Sequence, residues 1–183
     1  YLGVRTDAAS YDGGSALASS PAAQTLLSAT PIAALDIRYP LMARTDGATT
    51  IIEPVTQFVY RDGAAVPGIT NDDSQNVFLD TGNIFSYNRF SGADRQETGL
   101  RANIGFALNT SFDDGGWLAA SVGQSFLLSD FNTFAVSDGS TAGIGTSLDR
   151  AASYIVAGLE AGIGGLSGGA RVQFDPDTGT LPT

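Results

Sequence analysis

The chain has 183 residues, and its 19 acidic residues outnumber the 9 basic ones, all of which are Arg, for a formal net charge of -10. A nucleic-acid surface needs clustered Lys and Arg, so nucleic acid is not an expected partner. His and Cys are absent, which excludes His-based acid–base catalysis, thiolate chemistry and disulfides within these residues, and we expect no enzyme activity and no cofactor.

No apolar run approaches the roughly 20 residues that a membrane-spanning helix needs. The 23 Gly residues, together with abundant Ser, Thr and Ala, favour strands joined by turns. The chain begins at Tyr1 and ends at Thr183 without an initiator Met or a closing element. We therefore expect residues 1–183 to be a single-domain fragment of a longer protein.

Alternation of apolar and polar residues predicts successive half-exposed strands. The first covers residues 2–10, and a long connection over residues 11–30 follows it. Pro40 and Pro54 lie within the next two strand patterns and remove ladder donors, so we expect a bulge or local thinning of the wall nearby. The apolar face of the second strand consists of Ala33, Leu35, Ile37, Tyr39 and Leu41.

The dipeptide Asp46-Gly47 is typical of a two-residue type I′ hairpin turn. Such a turn sets Asp36 opposite Gln57 and Arg38 diagonal to Glu53, so the polar face forms complementary pairs. On the apolar face the same register pairs Ala33 with Tyr60, Leu35 with Phe58, Ile37 with Thr56, Tyr39 with Pro54 and Leu41 with Ile52.

Two further hairpins follow a long polar connection over residues 62–96. In the first, the apolar residues of both strands are even-numbered, which requires an odd-length loop around Asp113-Asp114-Gly115. After another long connection, over residues 128–146, Gly164-Gly165 predicts a two-residue turn in the second hairpin. About seven strands result, and long connections alternate with short ones.

Short turns on one side and long loops on the other are typical of outer-membrane barrels, whereas a Greek-key sandwich does not sort its connections in this way. About seven strands cannot close a barrel, and an open edge in hydrocarbon leaves unpaired backbone groups that cost several kcal/mol each. We therefore predict an all-β fold: an arc of a large antiparallel transmembrane β-barrel, with lipid against its apolar face and a water-filled lumen along its polar face.

The long polar connection carries three sequence boxes in order. They are Asn71-Asp72-Asp73-Ser74, Asn83-Ile84-Phe85 and Asn88-Arg89-Phe90-Ser91-Gly92-Ala93-Asp94-Arg95; Glu53-Pro54 and Gln57 precede them, and Glu97, Gly99, Leu100-Arg101-Ala102-Asn103 and Gly105 follow. Together they resemble the mid-barrel signature of the LptD family of outer-membrane lipopolysaccharide assembly proteins, specifically over residues 40–108. Asp72 stands where the family usually has Glu, and Ile84 where it usually has Leu.

The resemblance implies a function and a location. LptD proteins lie in the bacterial outer membrane as barrels of about 26 strands, pass lipopolysaccharide sugars through a hydrophilic lumen, and release the molecule sideways into the outer leaflet. The implied partners are lipopolysaccharide, outer-membrane lipid, periplasmic Lpt bridge proteins and a plug lipoprotein, LptE in the family. The lateral gate of the family lies between its first and last strands, so an internal arc supports the gate without forming it.

Two roles are open for the motif loop, residues 71–95: contact with sugar or phosphate, or a fold back into the lumen that braces the wall. The Asn, Asp, Ser and Gly residues are turn formers, which favours bracing. Phe85, Tyr87 and Phe90 would then be packing anchors. The motif residues to which we assign this structural role are Glu53, Pro54, Gln57, Asn71, Asp73, Ser74, Asn83, Phe85, Asn88, Arg89, Phe90, Gly92, Asp94, Arg95 and Arg101.

Neither metal binding nor acid–base chemistry is predicted. Asp72, Asp73 and Asp80 lack the Asp-x-Asp-x-Asp-Gly spacing of a calcium loop. The pairs Glu53 with Arg38 and Glu160 with Arg171 fit cross-strand ion pairs on the lumen face.

Two other classes of protein share these strand patterns. A porin-like diffusion channel would carry a constriction ring of opposed charges, and a soluble β-sandwich adhesin would bury the apolar faces against a second sheet. An outer-membrane hydrolase is the weakest alternative, because its usual His is missing from these residues.

Overall fold

The computed structural model describes residues 1–11, 24–62, 74, 77–92, 94–135 and 143–182. Every hydrogen-bonded strand pair among them is antiparallel. Within these ranges no helix is long and apolar enough to cross a membrane. The elements are β1 (Leu2–Tyr11), β2 (Gln24–Arg38), β3 (Leu41–Thr45), β4 (Ala48–Arg61), β5 (Gly99–Phe112), β6 (Trp117–Leu127), a short 3-10 helix (Thr133–Ala135), β7 (Ile155–Ile163) and β8 (Leu166–Phe174).

The eight strands form one sheet in the order β1-β2-β4-β5-β6-β7-β8, with β3 also paired to β4. β2 and β3 both pair with β4 and are two parts of one interrupted strand. The break between them falls at Tyr39 and Pro40. Pro40 has no N–H to donate, and the Tyr39 N–H still reaches the Pro54 carbonyl at 3.2 Å. The sheet does not close on itself within the described residues. This confirms the predicted all-β fold, an incomplete antiparallel arc. The bulge predicted near Pro40 is absent, because one register runs through the break, with Arg38 opposite Val55 and Leu41 opposite Ile52. The strand is interrupted at Pro40 instead, and β4 continues through Pro54.

All three predicted hairpin registers are confirmed. Leu35 lies opposite Phe58 and Asp36 opposite Gln57 in the pairing of β2 with β4. Leu108 lies opposite Ala120 in the pairing of β5 with β6, and Ile155 opposite Phe174 in the pairing of β7 with β8. The odd-length loop is also present, since the Phe112 N–H donates to the Gly116 carbonyl at 2.8 Å and encloses three residues.

The predicted type I′ turn at Asp46-Gly47 is wrong in its conformation, although its length is right. That turn type requires positive φ at both central residues. Gly47 has φ 89°, but among the described residues Ser147 is the only non-glycine with positive φ. Positive φ at the second position alone fits a type II turn, which spares Asp46 a left-handed conformation.

The predicted connection over residues 11–30 is too long. β1 and β2 pair as far as Tyr11 with Gln24, so the connection is confined to residues 12–23. The prediction missed this part of β2 because two adjacent apolar residues, Leu26 and Leu27, interrupt the alternation of apolar and polar residues. In the structure both residues pair with β1, so the backbone hydrogen bonds of the ladder continue through them. Long and short connections still alternate, and the three short turns all lie at one end of the sheet.

The two faces of the sheet differ in what covers them. One face, which we call the bare face, exposes large apolar side chains: Leu35 is 57% exposed, Ile104 51% and Leu159 53%. The opposite face, which we call the loop face, is partly covered by described residues of the connection between β4 and β5. Its residues Val55, Val59 and Val156 are buried. The apolar core therefore lies between sheet and loop, and the bare face is left open.

The Gly164-Gly165 turn provides a test of the hairpin geometry. Gly164 has φ 59° and Gly165 does not have positive φ, which is the pattern of a type II′ turn. We expect Gly164→Ala to lower the free energy of unfolding by about 1 kcal/mol, because Ala is strained at positive φ. Gly165→Ala, at a site with no atom within 4 Å of an added Cβ, is the matched control. Urea titration of the folded protein checks both, and equal losses would contradict the turn assignment.

Candidate functional site

The chain between β4 and β5 returns across the loop face, and we call its described residues, 77–92 and 94–98, the fold-back loop. Three strand glycines meet its side chains. A Cβ built on Gly105 would lie 2.7 Å from Phe85 Cζ, and one on Gly123 would lie 2.8 Å from Ile84 Cδ1. A Cβ on Gly158 would lie 3.0 Å from the Thr81 hydroxyl. The missing side chains on three successive strands let the loop pack directly on the backbone.

A row of polar side chains crosses three strands beneath the loop. Gln57 donates to Asp36 at 2.7 Å and accepts from the Asn103 amide at 2.7 Å. The same Gln57 amide also donates to the Phe85 carbonyl at 2.8 Å, and the Tyr87 hydroxyl donates to Asp36 at 2.8 Å. The row thus joins β2, β4 and β5 to one another and to the loop.

The tip of the fold-back loop is a self-capped turn. The Asp80 carboxylate accepts from the backbone N–H groups of Gly82 and Asn83 at 2.8 and 3.0 Å. The Asn83 side chain closes the turn by accepting from Asp80 N–H at 2.9 Å. β8 holds this tip, since Gln173 donates to the Leu79 carbonyl at 2.5 Å and Arg171 lies 3.4 Å from the Asp80 carboxylate.

The base of the loop is fixed by a buried ion cluster, Arg89, Glu97 and Arg101, which we call the Glu97 clamp. Arg89 donates through two nitrogens to the two oxygens of Glu97, one of them at 2.8 Å. Arg101 of β5 lies 2.7 Å from the same carboxylate and donates to the Ser86 carbonyl at 2.5 Å. Burial alone raises the pKa of Glu97, but the charges of Arg101 and Arg89 outweigh it, so the pKa lies below the ordinary value.

The two arms of the loop are also joined to each other and to the next long connection. Asn88 donates to the Arg95 carbonyl at 3.1 Å and accepts from Glu97 N–H at 2.9 Å. Phe90 stacks on Phe134 of the 3-10 helix, with ring centroids 4.5 Å apart. The apolar cluster between loop and sheet consists of Val77, Leu79, Ile84, Phe90, Phe134, Leu148 and Val156.

The amino-acid sequence matches the model of one known protein family. The family model described as "LptD: LPS transport system D" matches residues 1–182. The chain belongs to the LptD family. No curated protein matches it. Membership assigns the chain to lipopolysaccharide transport and assembly at the outer membrane, which agrees with its all-β architecture, and LptD is a transport family rather than an enzyme family.

The structure brings most of the LptD motif residues into one assembly and separates a few from it. Nine of the motif residues take part in the contacts of the fold-back loop: Gln57, Ser74, Asn83, Phe85, Asn88, Arg89, Phe90, Arg95 and Arg101. Ser74 does so by accepting a hydrogen bond from the Arg95 N–H at 3.1 Å. Glu53 instead binds Arg38 at 2.8 Å, as predicted, and Pro54 continues β4. Gly92 is half-buried and Asp94 is exposed. Asn71 and Asp73 lie outside the described residues.

Several contributors were not predicted as site residues. Asp36 and Asn103 complete the polar row, and Glu97 is the centre of the clamp. Glu97 and Asn103 stood in the LptD signature, and the predicted register had placed Asp36 against Gln57. Phe134 had no comparable signal, because its position follows from the packing of two long connections.

The chemistry of the site is anchoring. The carboxylate of Glu97 is fully used by two guanidinium groups, and the amides of the polar row bind one another. Within the described parts of the chain, no group of three or more His, Cys, Asp or Glu residues is placed to hold a metal ion. The predicted pair of Glu160 with Arg171 is present at 2.9 Å, and Arg171 is shared with Asp80.

The Glu97 clamp predicts a large effect of removing one charge. Glu97→Gln leaves two guanidinium groups buried without their carboxylate, so we expect the free energy of unfolding to fall by about 3 to 5 kcal/mol. The control is Glu53→Gln, which removes an equal charge from the exposed pair with Arg38 and should cost at most about 1 kcal/mol. Urea titration of the full-length protein measures both.

The same residue predicts a dependence on pH. Because the pKa of Glu97 is lower in the folded state, its stabilisation is complete above the ordinary value of 4.5 and is lost as the pH falls through the folded-state pKa. Glu97→Gln should reduce the loss of unfolding free energy at acid pH, whereas Glu53→Gln should leave that loss nearly unchanged. Urea titrations at a series of pH values measure it. Identical losses at acid pH in wild type and Glu97→Gln would show that the clamp does not hold the loop.

Proposed function

We propose that this chain is an arc of the wall of an outer-membrane translocon that inserts lipopolysaccharide into the outer leaflet. Family membership supports the general role in lipopolysaccharide transport. The observation that carries the finer proposal is the contrast between the two faces of one sheet. One face is apolar and open, and the other is polar and partly covered by the fold-back loop.

The bare face suits lipid. Exposed Leu35, Ile37, Phe106 and Leu159 would each be unfavourable in water, at about 25 cal/mol for every Å² of apolar surface. A bilayer satisfies them without a second sheet. The β-strands keep their backbone groups paired within the sheet, as hydrocarbon requires.

The loop face suits a wet lumen. It carries the ion pair of Glu160 with Arg171, in which both side chains are about half exposed and can be approached by saccharides. The polar row differs, because Gln57 and Asn103 are buried beneath the fold-back loop. An amphiphile with a large sugar portion needs such a passage for its sugars and an apolar route for its acyl chains. We infer that the sugars pass along this face and that the acyl chains leave laterally, at a gate formed elsewhere in the barrel.

Partners follow from the same proposal. The periplasmic Lpt bridge would deliver lipopolysaccharide at the end of the sheet that carries the short turns, since short turns face the periplasm in this class of barrel. A plug lipoprotein of the LptE kind would occupy the remaining lumen. Residues 1–183 would form part of a single barrel domain. Neither the porin nor the adhesin alternative is favoured by a specific observation.

The assignment of the two faces can be tested with two neighbouring alanines. Ala119 lies opposite Glu160 and so on the loop face, whereas Ala120 lies opposite Leu159 and so on the bare face. We expect a spin label on Ala120→Cys to relax faster with oxygen dissolved in the bilayer, and one on Ala119→Cys to relax faster with a water-soluble nickel chelate. The reverse order, in the full-length protein in lipid vesicles, would overturn the proposed orientation.

The transport role can be tested by depletion. Cells that lose the full-length protein should accumulate newly made lipopolysaccharide at the inner membrane, because under the proposed function this protein completes its delivery to the outer leaflet. Pulse labelling followed by membrane fractionation measures this, and re-expression of the wild-type protein is the control. Normal surface delivery after depletion would refute the proposed function.

A further inference from the structure

Trp117 is the only Trp of the chain and opens β6 at the end of the sheet that carries the short turns. Its cross-strand partner in β7 is Gly162. A Cβ built on Gly162 would lie 2.5 Å from Trp117 Nε1 and 2.8 Å from Cε2. The indole therefore lies directly against the backbone of Gly162, and the side chain of any other residue at position 162 would clash with it.

Trp117 belongs to the loop face. Strand alternation places it with Ala119, Ser121 and Gly123, and Gly123 faces Ile84 of the fold-back loop. The described residues that line the groove beside the indole belong to β6, β7 and β8. The fold-back loop contacts β8 at Arg171, through Asp80. Trp117 thus remains 39% exposed on a face that is covered farther along.

A groove of about 440 Å³ runs beside the ring. Its floor is short of side chains, since Gly168 and Gly169 lie in β8. Its polar groups are Ser167 and the ion pair of Glu160 with Arg171 at 2.9 Å, in which both side chains are about half exposed. The full lining is Trp117, Glu160, Ser167, Gly168, Gly169, Ala170 and Arg171.

This set of groups matches the chemistry of a saccharide. The face of a pyranose ring presents C–H groups with partial positive charge, which suit the negative face of an indole. Sugar hydroxyls can donate to the Glu160 carboxylate and accept from the Arg171 guanidinium at the same time. An acyl chain would gain nothing from the charged pair, and the bare face offers it an apolar surface instead.

We propose that Trp117, Glu160 and Arg171 form a sugar-stacking platform on the loop face, which holds the saccharide portion of lipopolysaccharide near the short-turn end of the lumen. The proposal rests on the proposed function for its ligand. It adds a specific binding site to the passage. Gly162 is part of that site because its missing side chain lets the indole lie directly against the backbone of β7.

The test is binding of delipidated core oligosaccharide, prepared from lipopolysaccharide, to the full-length protein in detergent by isothermal titration calorimetry. We expect Trp117→Ala to weaken binding about tenfold, the size of one good aromatic contact. Trp117→Phe, which keeps an aromatic face, should stay within about threefold of wild type. Leu118→Ala, the next residue on the opposite face, is the matched control and should bind as wild type does.

Three outcomes would overturn the platform. They are unchanged binding in Trp117→Ala, an equal loss in Leu118→Ala, and no binding of the oligosaccharide to wild type. A photo-crosslinking residue placed at position 117 in cells adds a second readout: a crosslink to lipopolysaccharide supports the platform, and a crosslink only to a protein partner contradicts it. If depletion blocks delivery while these results are negative, the platform fails and the proposed function stands; if depletion has no effect, the proposed function itself fails.

Discussion

The structure depends on a single buried carboxylate. Glu97 lies out of water, where an unpaired charge would be costly, so its position is tenable only while Arg89 and Arg101 both face it. Arg89 belongs to the fold-back loop and Arg101 to β5. The carboxylate therefore couples the base of the loop to β5. Separating the two would leave a buried charge without its partner.

This coupling explains why the sheet has its core on one side only. Once the loop is fixed at its base, it excludes water from the face below it, and Ile84 and Phe85 pack against the backbone of Gly123 and Gly105. Apolar residues on that face, such as Val59 and Val156, then become buried. The loop supplies the core that a second sheet supplies in a β-sandwich, which leaves the other apolar face free for a different environment.

The sequence predicted the strands, the registers and the cross-strand pairs, because period-2 alternation and turn length are local signals. It predicted Asp36 against Gln57 and Glu160 against Arg171, and the structure has both. It did not predict that Glu97 would be buried between two Arg residues or that Phe90 would stack on Phe134. Those contacts join segments far apart in the chain, and no local pattern specifies how two long connections pack together.

The loop face is also more apolar than the sequence analysis predicted for a face that lines a water-filled lumen. Val55 and Val59 alternate correctly for the loop face, yet a water-filled passage gives no reason for valine there. The fold-back loop resolves this, since valine is favourable under a cover and unfavourable beside water.

The loop face is therefore divided along its length. Toward the long connections it is a dry, braced interior, and toward the short turns it is open and lined by glycine, Trp117 and an exposed ion pair. A passage that must hold sugars yet release them needs contacts that are individually weak and accessible to water, and solvated ion pairs and one aromatic face meet that requirement. The braced half has the opposite property, because its groups are already bound to one another. Under the proposed function, the rigid part of the face and the part that sugars would pass are therefore separate, and the contact of Asp80 with Arg171 lies at the boundary between them.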